Sequence, residues 1–142
     1  MKTLQTVVGF SVMCFMLLLM TACATSAPAR SDAEIIDALV EEFIAAAKAQ
    51  DIDKMMTFVS EDFLDGEAGN KEDLQSFLEY AKEMGFLDDL EIDQTKKVIT
   101  ITGDKASGGP ALLKGSFGSA SLSLEGAKEK DGWKITKMDF QM

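Results

Sequence analysis

Few side chains in this 142-residue chain could do chemistry, and what is missing narrows the options. There is no histidine, so the commonest proton carrier near neutral pH is absent and acid-base work would fall to carboxylates, Tyr80 or a lysine. The cysteines are Cys14 and Cys23 only. Two thiols without imidazole argue against a zinc site. From Asp89, the run DLEIDQTKKVIT places acids where the first ligands of a calcium loop would stand. Gln94 then replaces the required glycine and Thr100 the bidentate glutamate. No glycine-rich run is followed by the Lys-Ser/Thr pair of a phosphate loop. No metal and no cofactor is expected. The one group with an evident reaction is the thiol of Cys23, whose thiolate is a nucleophile.

Cys23 closes the stretch CFMLLLMTAC. From Thr3 to Ala29 no side chain is charged, the densely apolar part runs from Val7 to Met20, and Lys2 precedes it, which is the order of an export signal. As a helix the apolar part would measure roughly 21 Å, short of the ~30 Å hydrocarbon core. The residues MTAC resemble the bacterial lipobox, with Met20 where leucine is more usual. That resemblance implies diacylglyceryl transfer to the sulfur of Cys23, cleavage before it, and acylation of the new amino terminus. Residues 1–22 are then a lipoprotein signal peptide and 23–30 a lipidated tether. Two readings stand beside it: an ordinary signal cut after TACATSA, leaving no lipid, and a membrane helix extended through those same residues. Each buried methylene contributes about 0.8 kcal/mol, so two or three acyl chains would hold the protein permanently on a membrane. Cys14 would leave with the signal, and the remaining chain would fold without a disulfide.

Composition limits the partners. Residues 31 to 93 hold 19 acids against four lysines, whereas residues 94 to 142 hold five acids against eight lysines. Such a balance argues against nucleic acid, whose phosphates it would repel, and against lying flat on an anionic bilayer. It reads as solvated acidic helices beside a lysine-bearing sheet, or as a surface for a basic partner.

The positioning elements follow from periodicity. Ser31 and Glu34 form a capping box ahead of Ile35, Ile36, Leu39, Val40, Phe43, Ile44 and Ala47, a helix with one broad apolar face. Asp51 caps a short second helix bearing Ile52, Met55, Met56 and Val59. After the turn-rich EDFLDGEAGN, Asn70 caps a third helix that is expected to bury Leu74, Phe77, Leu78 and Ala81 and to end at Gly85. The period then changes to two. Leu90 and Ile92 alternate with acids, Val98 to Thr102 reads as a strand with a turn at Gly103 and Asp104, and two or three more strands follow. Asp131-Gly132 marks a hairpin. Helices first and strands after predict an α+β layer, with three helices covering one face of an antiparallel sheet.

Three stretches, EEFIAAAKAQDIDKMMTFVSEDF, GNKEDLQSFLEY and KEKDGWKITKMDF, resemble the nuclear transport factor 2-like superfamily over roughly residues 31 to 140. The resemblance implies a cone of helices on a curved antiparallel sheet, over a domain spanning 31–142. In the steroid isomerase branch a helix-1 tyrosine and a protonated aspartic acid hold an oxyanion while a second carboxylate is the base. In this chain the tyrosine position is Phe43, which has no hydroxyl. Glu67 falls near the base position and Glu125 near the acidic donor. The stronger reading of both is exposed carboxylates, on a turn and a strand edge. The dehydratase branch depends on histidine, which is lacking.

What remains is the interior of the cone. Phe43, Met55, Phe63, Phe77, Trp133 and Met138 are expected either to line a cavity for an apolar small molecule or to pack as core. The reading is a lipid-anchored, periplasm-facing envelope protein with a non-catalytic binding or interaction domain. Ala24 stands where an inner-membrane retention signal would place aspartate, and this favours the outer membrane. The alternatives are a small enzyme acting on an apolar substrate through Glu67 or Glu125, and a structural homodimer formed through the sheet face. Against the homodimer, Lys114, Lys128 and Lys130 fit a solvated face equally well.

Overall fold

The computed structural model describes residues 28–142, so the signal segment and Cys23 lie outside the described residues. Among the described residues three helices come first. Helix α1 (Asp32–Lys48) begins at the expected capping box: the Ser31 amide donates to Glu34 Oε2 at 2.8 Å and the Glu34 amide donates to Ser31 Oγ at 3.3 Å. Its buried stripe is Ile36, Val40, Phe43, Ala46 and Ala47. Helix α2 (Ile52–Thr57) starts where Asp51 accepts the Lys54 amide at 3.0 Å. Two short strands, β1 (Leu64–Asp65) and β2 (Gly69–Asn70), then form a small hairpin inside the segment read as turn-rich. Asn70 caps α3 (Lys71–Glu83), and Gly85 follows at φ +74°, a left-handed geometry that favours glycine.

The remaining strands make one antiparallel sheet: β3 (Glu91–Asp93), β4 (Val98–Thr102), β5 (Lys105–Gly115), β6 (Gly118–Glu129) and β7 (Gly132–Gln141). Both β3 and β4 pair with β5, which pairs with β6, which pairs with β7. The turn at Gly103-Asp104 falls where expected. The last hairpin differs by one residue: Glu129 pairs with Gly132, so the turn is Lys130-Asp131 and Gly132 opens β7 at φ +124°. Two bulges, at Gly109-Pro110 in β5 and at Thr136 in β7, interrupt the register of the long strands and curve them.

The helices lie against one face of this sheet. Ile135 ties the layers together, donating its amide to Phe58 O at 2.8 Å and accepting the Ser60 amide at 2.9 Å. One cluster gathers Phe43, Met55, Met56, Val59, Phe63, Leu74 and Ile135, and a second joins Ile36 and Val40 to Trp133. At about 1.5–3 kcal/mol per fully buried large side chain, these clusters hold the two layers together. Among the described residues no helix is long and apolar enough to cross a membrane.

Candidate functional site

The interior of the cone is filled. Phe43, Met55 and Phe63 are buried in one cluster, Trp133 is buried in the other, and Met138 packs partly buried against the first. Phe43 meets Phe58 edge to face, with ring centroids 6.4 Å apart. The space left between α1 and the sheet is about 40 Å³, lined by Ile36, Leu39, Val40, Leu124, Trp133 and Ile135. That holds a water molecule, not an organic ligand. Phe77 corrects the expectation that it faces inward: it is 57% exposed. Leu74 and Ala81 occupy the buried side of α3, and a residue three places past Leu74 lies about 60° around the helix from it.

The larger concavity is on the other side of the sheet. Register pairs Thr100 with Ser107, Ser107 with Glu125, Glu125 with Lys137, and Ser123 with Asp139. Because side chains alternate along a strand, all six project from one face, while their neighbours Leu124 and Met138 join the core on the helix side. Together with Val98, Gly109 and Pro110 they line a groove of about 300 Å³ on the face away from the helices. Gly109 sets its depth. A Cβ there would stand 2.7 Å from Ser123 Oγ and 2.9 Å from Ser123 Cα, and φ is +144°.

The groove carries two carboxylates, one ammonium and three hydroxyls. Lys137 Nζ stands 3.7 Å from Glu125 Oε1, an exposed pair that contributes less than about 1 kcal/mol to stability. Asp139 accepts a hydrogen bond from Gln141 Nε2 at 3.1 Å. One acid more than base favours a ligand bearing a positive charge, and the hydroxyls of Thr100, Ser107 and Ser123 can both donate and accept. A volume near 300 Å³ is at the small end of ligand pockets.

The two sequence candidates do not meet in this groove. Glu125 lines it, whereas Glu67 is exposed on the β1–β2 turn. The buried carboxylate among the described residues is Asp65, 9% exposed. Its Oδ1 accepts the amides of Glu67 at 2.8 Å and Ala68 at 3.0 Å. Those hydrogen bonds, that of Ala68 first, hold its carboxyl below the usual aspartate range and fix it as an anion. It braces a turn. Sequence reasoning missed Ser107, Ser123, Lys137 and Asp139; the available signal was the alternation of Ser121, Ser123 and Glu125 with Leu122 and Leu124.

No protein-family model matches the chain, and no curated protein matches it. Solved structures do. A nuclear transport factor 2-like protein of unknown function from Pseudomonas putida superposes with a TM-score of 0.67 at 14% identity, covering 80% of this chain and 89% of that one. A candidate ketosteroid isomerase from Shewanella frigidimarina gives 0.63 at 22% identity, covering 78% of this chain and 95% of that one. Bd1075 of Bdellovibrio bacteriovorus gives 0.65 at 18% identity over 76% of this chain, which spans 39% of the length of that protein. These likenesses show the fold alone, a nuclear transport factor 2-like, cystatin-like α+β fold with a curved antiparallel sheet.

Proposed function

We propose that the chain is a lipid-anchored envelope protein, held through acylated Cys23 on the periplasmic side of the outer membrane. Its domain is a binding module and not an enzyme. The observation that carries the second part is the filled cone. Phe43, Met55, Phe63 and Trp133 occupy the volume where an apolar substrate would lie, and the buried carboxylate, Asp65, is spent on backbone amides. For the ligand, the reading is a small, hydroxyl-bearing cation in the groove of Glu125, Lys137 and Asp139, where a positive centre offsets the extra acid.

Native mass spectrometry of the full chain purified from its own cells in detergent tests both parts. The expected spectrum is a polypeptide beginning at Cys23 with acyl chains attached, carrying a small cationic adduct that Gly109→Ala removes. An unacylated amino terminus overturns the anchoring. An apolar adduct that survives Gly109→Ala overturns the groove, and a dimer whose interface covers the groove would do the same.

A further inference from the structure

Helix α3 is apolar on two sides, although one is enough to hold it. Leu74 and Ala81 are buried against the domain. Phe77, Tyr80 and Met84, at spacings of three and four residues along a neighbouring flank, are 57%, 54% and 53% exposed. Burial in this domain does not explain them, since a surface helix needs a single apolar stripe. The opposite flank is tied down, with Lys82 Nζ donating to Gln50 O at 2.9 Å beside the start of α2.

The stripe leads to the β5–β6 turn. Just beyond α3, Gly85 O accepts from Ser116 Oγ at 2.9 Å, which brings the β5–β6 turn alongside. There Phe117 packs on Phe140, centroids 6.1 Å apart, and Phe86 and Phe140 are each 37% exposed. Scattered apolar residues on a surface are ordinary; a helical stripe leading to an aromatic end marks a contact surface.

We infer that this surface docks a basic, apolar-bearing segment of a partner protein. Charge selects the partner. Asp73, four residues before Phe77, and Glu83, three past Tyr80, are exposed beside the stripe on α3, within the half of the chain that holds 19 acids against four lysines. A lysine- or arginine-rich amphipathic segment complements that border while its apolar side chains cover Phe77, Tyr80 and Met84. An anionic bilayer is repelled by the same border. Geometry points the same way, in a step that rests on the acylated Cys23 proposed above. The tether enters α1 where Asp32 meets Lys128 and Trp133, at the β6–β7 end of the sheet. The aromatic end lies at the β5–β6 turn, separated from it by roughly 33 Å of strand path along β6. An anchored domain therefore presents this surface away from its own membrane.

A benzophenone side chain replacing Met84 in the full chain, irradiated in its own cells, tests the inference. The expected product is an adduct whose cross-linked peptide belongs to another protein and carries net positive charge. Its yield should fall about tenfold with Phe77→Ser, while the melting temperature of that variant stays near that of the parent. An adduct with a second copy of this chain, an adduct with lipid, an acidic cross-linked peptide, or a yield indifferent to Phe77→Ser each overturns it. The docking readout does not depend on acylation: if the chain proves unacylated, the orientation step fails alone.

Discussion

Trp133 donates its indole N–H to Asp32 Oδ1 at 3.1 Å, fastening the first residue of α1 to the beginning of β7, 101 positions later in the chain. Lys128 Nζ reaches the same carboxylate at 2.8 Å and stands 5.9 Å from the indole centroid. The hydrogen bonds from Lys128 and then Trp133 hold the Asp32 carboxyl below the usual aspartate range. Trp133→Phe keeps most of the buried ring and deletes the donor, so it should cost about 1–2 kcal/mol in urea unfolding followed by circular dichroism. An unchanged midpoint would mean that water replaces the indole N–H without loss.

Acid should destabilise the domain through carboxylates whose native state is ionised. Asp65 is the most enclosed of them, its pKa depressed by the amides of Ala68 and Glu67. A depressed native pKa contributes stability that is present above the unfolded value, near 3.9 for aspartate, and is lost as pH falls through the native value. Asp65→Asn retains an acceptor for the two amides and removes the titration. It should lower stability at pH 7 by about 1 kcal/mol and lose less than the parent between pH 4 and pH 2. Parallel urea midpoints for the two proteins across that range would refute the assignment.

Two phenylalanines that the sequence reading places in the interior should behave oppositely. Phe63 is 2% exposed within the main cluster, so Phe63→Ala leaves a cavity and should cost about 3–5 kcal/mol. Phe77 is 57% exposed, and Phe77→Ala should change stability by less than about 0.5 kcal/mol. Thermal unfolding of the pair checks this contrast directly.

That contrast also marks how far the sequence can be read. Ser31 with Glu34, Asn70 ahead of α3, and Gly103-Asp104 act within a few residues of themselves, and each produced the element expected of it. Phe77 depended on which flank of α3 the rest of the domain would cover, a tertiary fact that a helical period does not contain. The groove was further out of reach. It exists because β5, β6 and β7 pair in one register and because Gly109 and Pro110 interrupt it, so Ser107, Glu125 and Lys137 meet only after three strands are aligned. The two-residue strands β1 and β2 are too short for any alternation to show.

Gly109 should prove intolerant of side chains. Its φ of +144° is strained for any L residue, and the added Cβ would press on the Cα of Ser123 at 2.9 Å, which is backbone and cannot rotate away. Gly109→Ala should therefore cost about 2–3 kcal/mol. At about 4 °C per kcal/mol for a domain of this size, the melting temperature should drop by roughly 8–13 °C. Adding Ser123→Ala should recover little, because the backbone contact remains. Full rescue by the double variant would show that only the hydroxyl was in the way.

Glu125 and Lys137 separate binding from stability. Both are about half-exposed, 3.7 Å apart, and screened by solvent, so Glu125→Gln and Lys137→Ala should each shift the urea midpoint by less than the equivalent of about 1 kcal/mol. In the groove the same changes act in opposite directions. Glu125→Gln removes one of two acids facing a cationic ligand and should weaken its retention, whereas Lys137→Ala removes the competing ammonium and should strengthen it. Native mass spectra of the two variants, compared for adduct occupancy under one set of conditions, decide the point. Equal occupancy in both would place the ligand outside the groove, since no cation seated between Glu125 and Asp139 is indifferent to both changes.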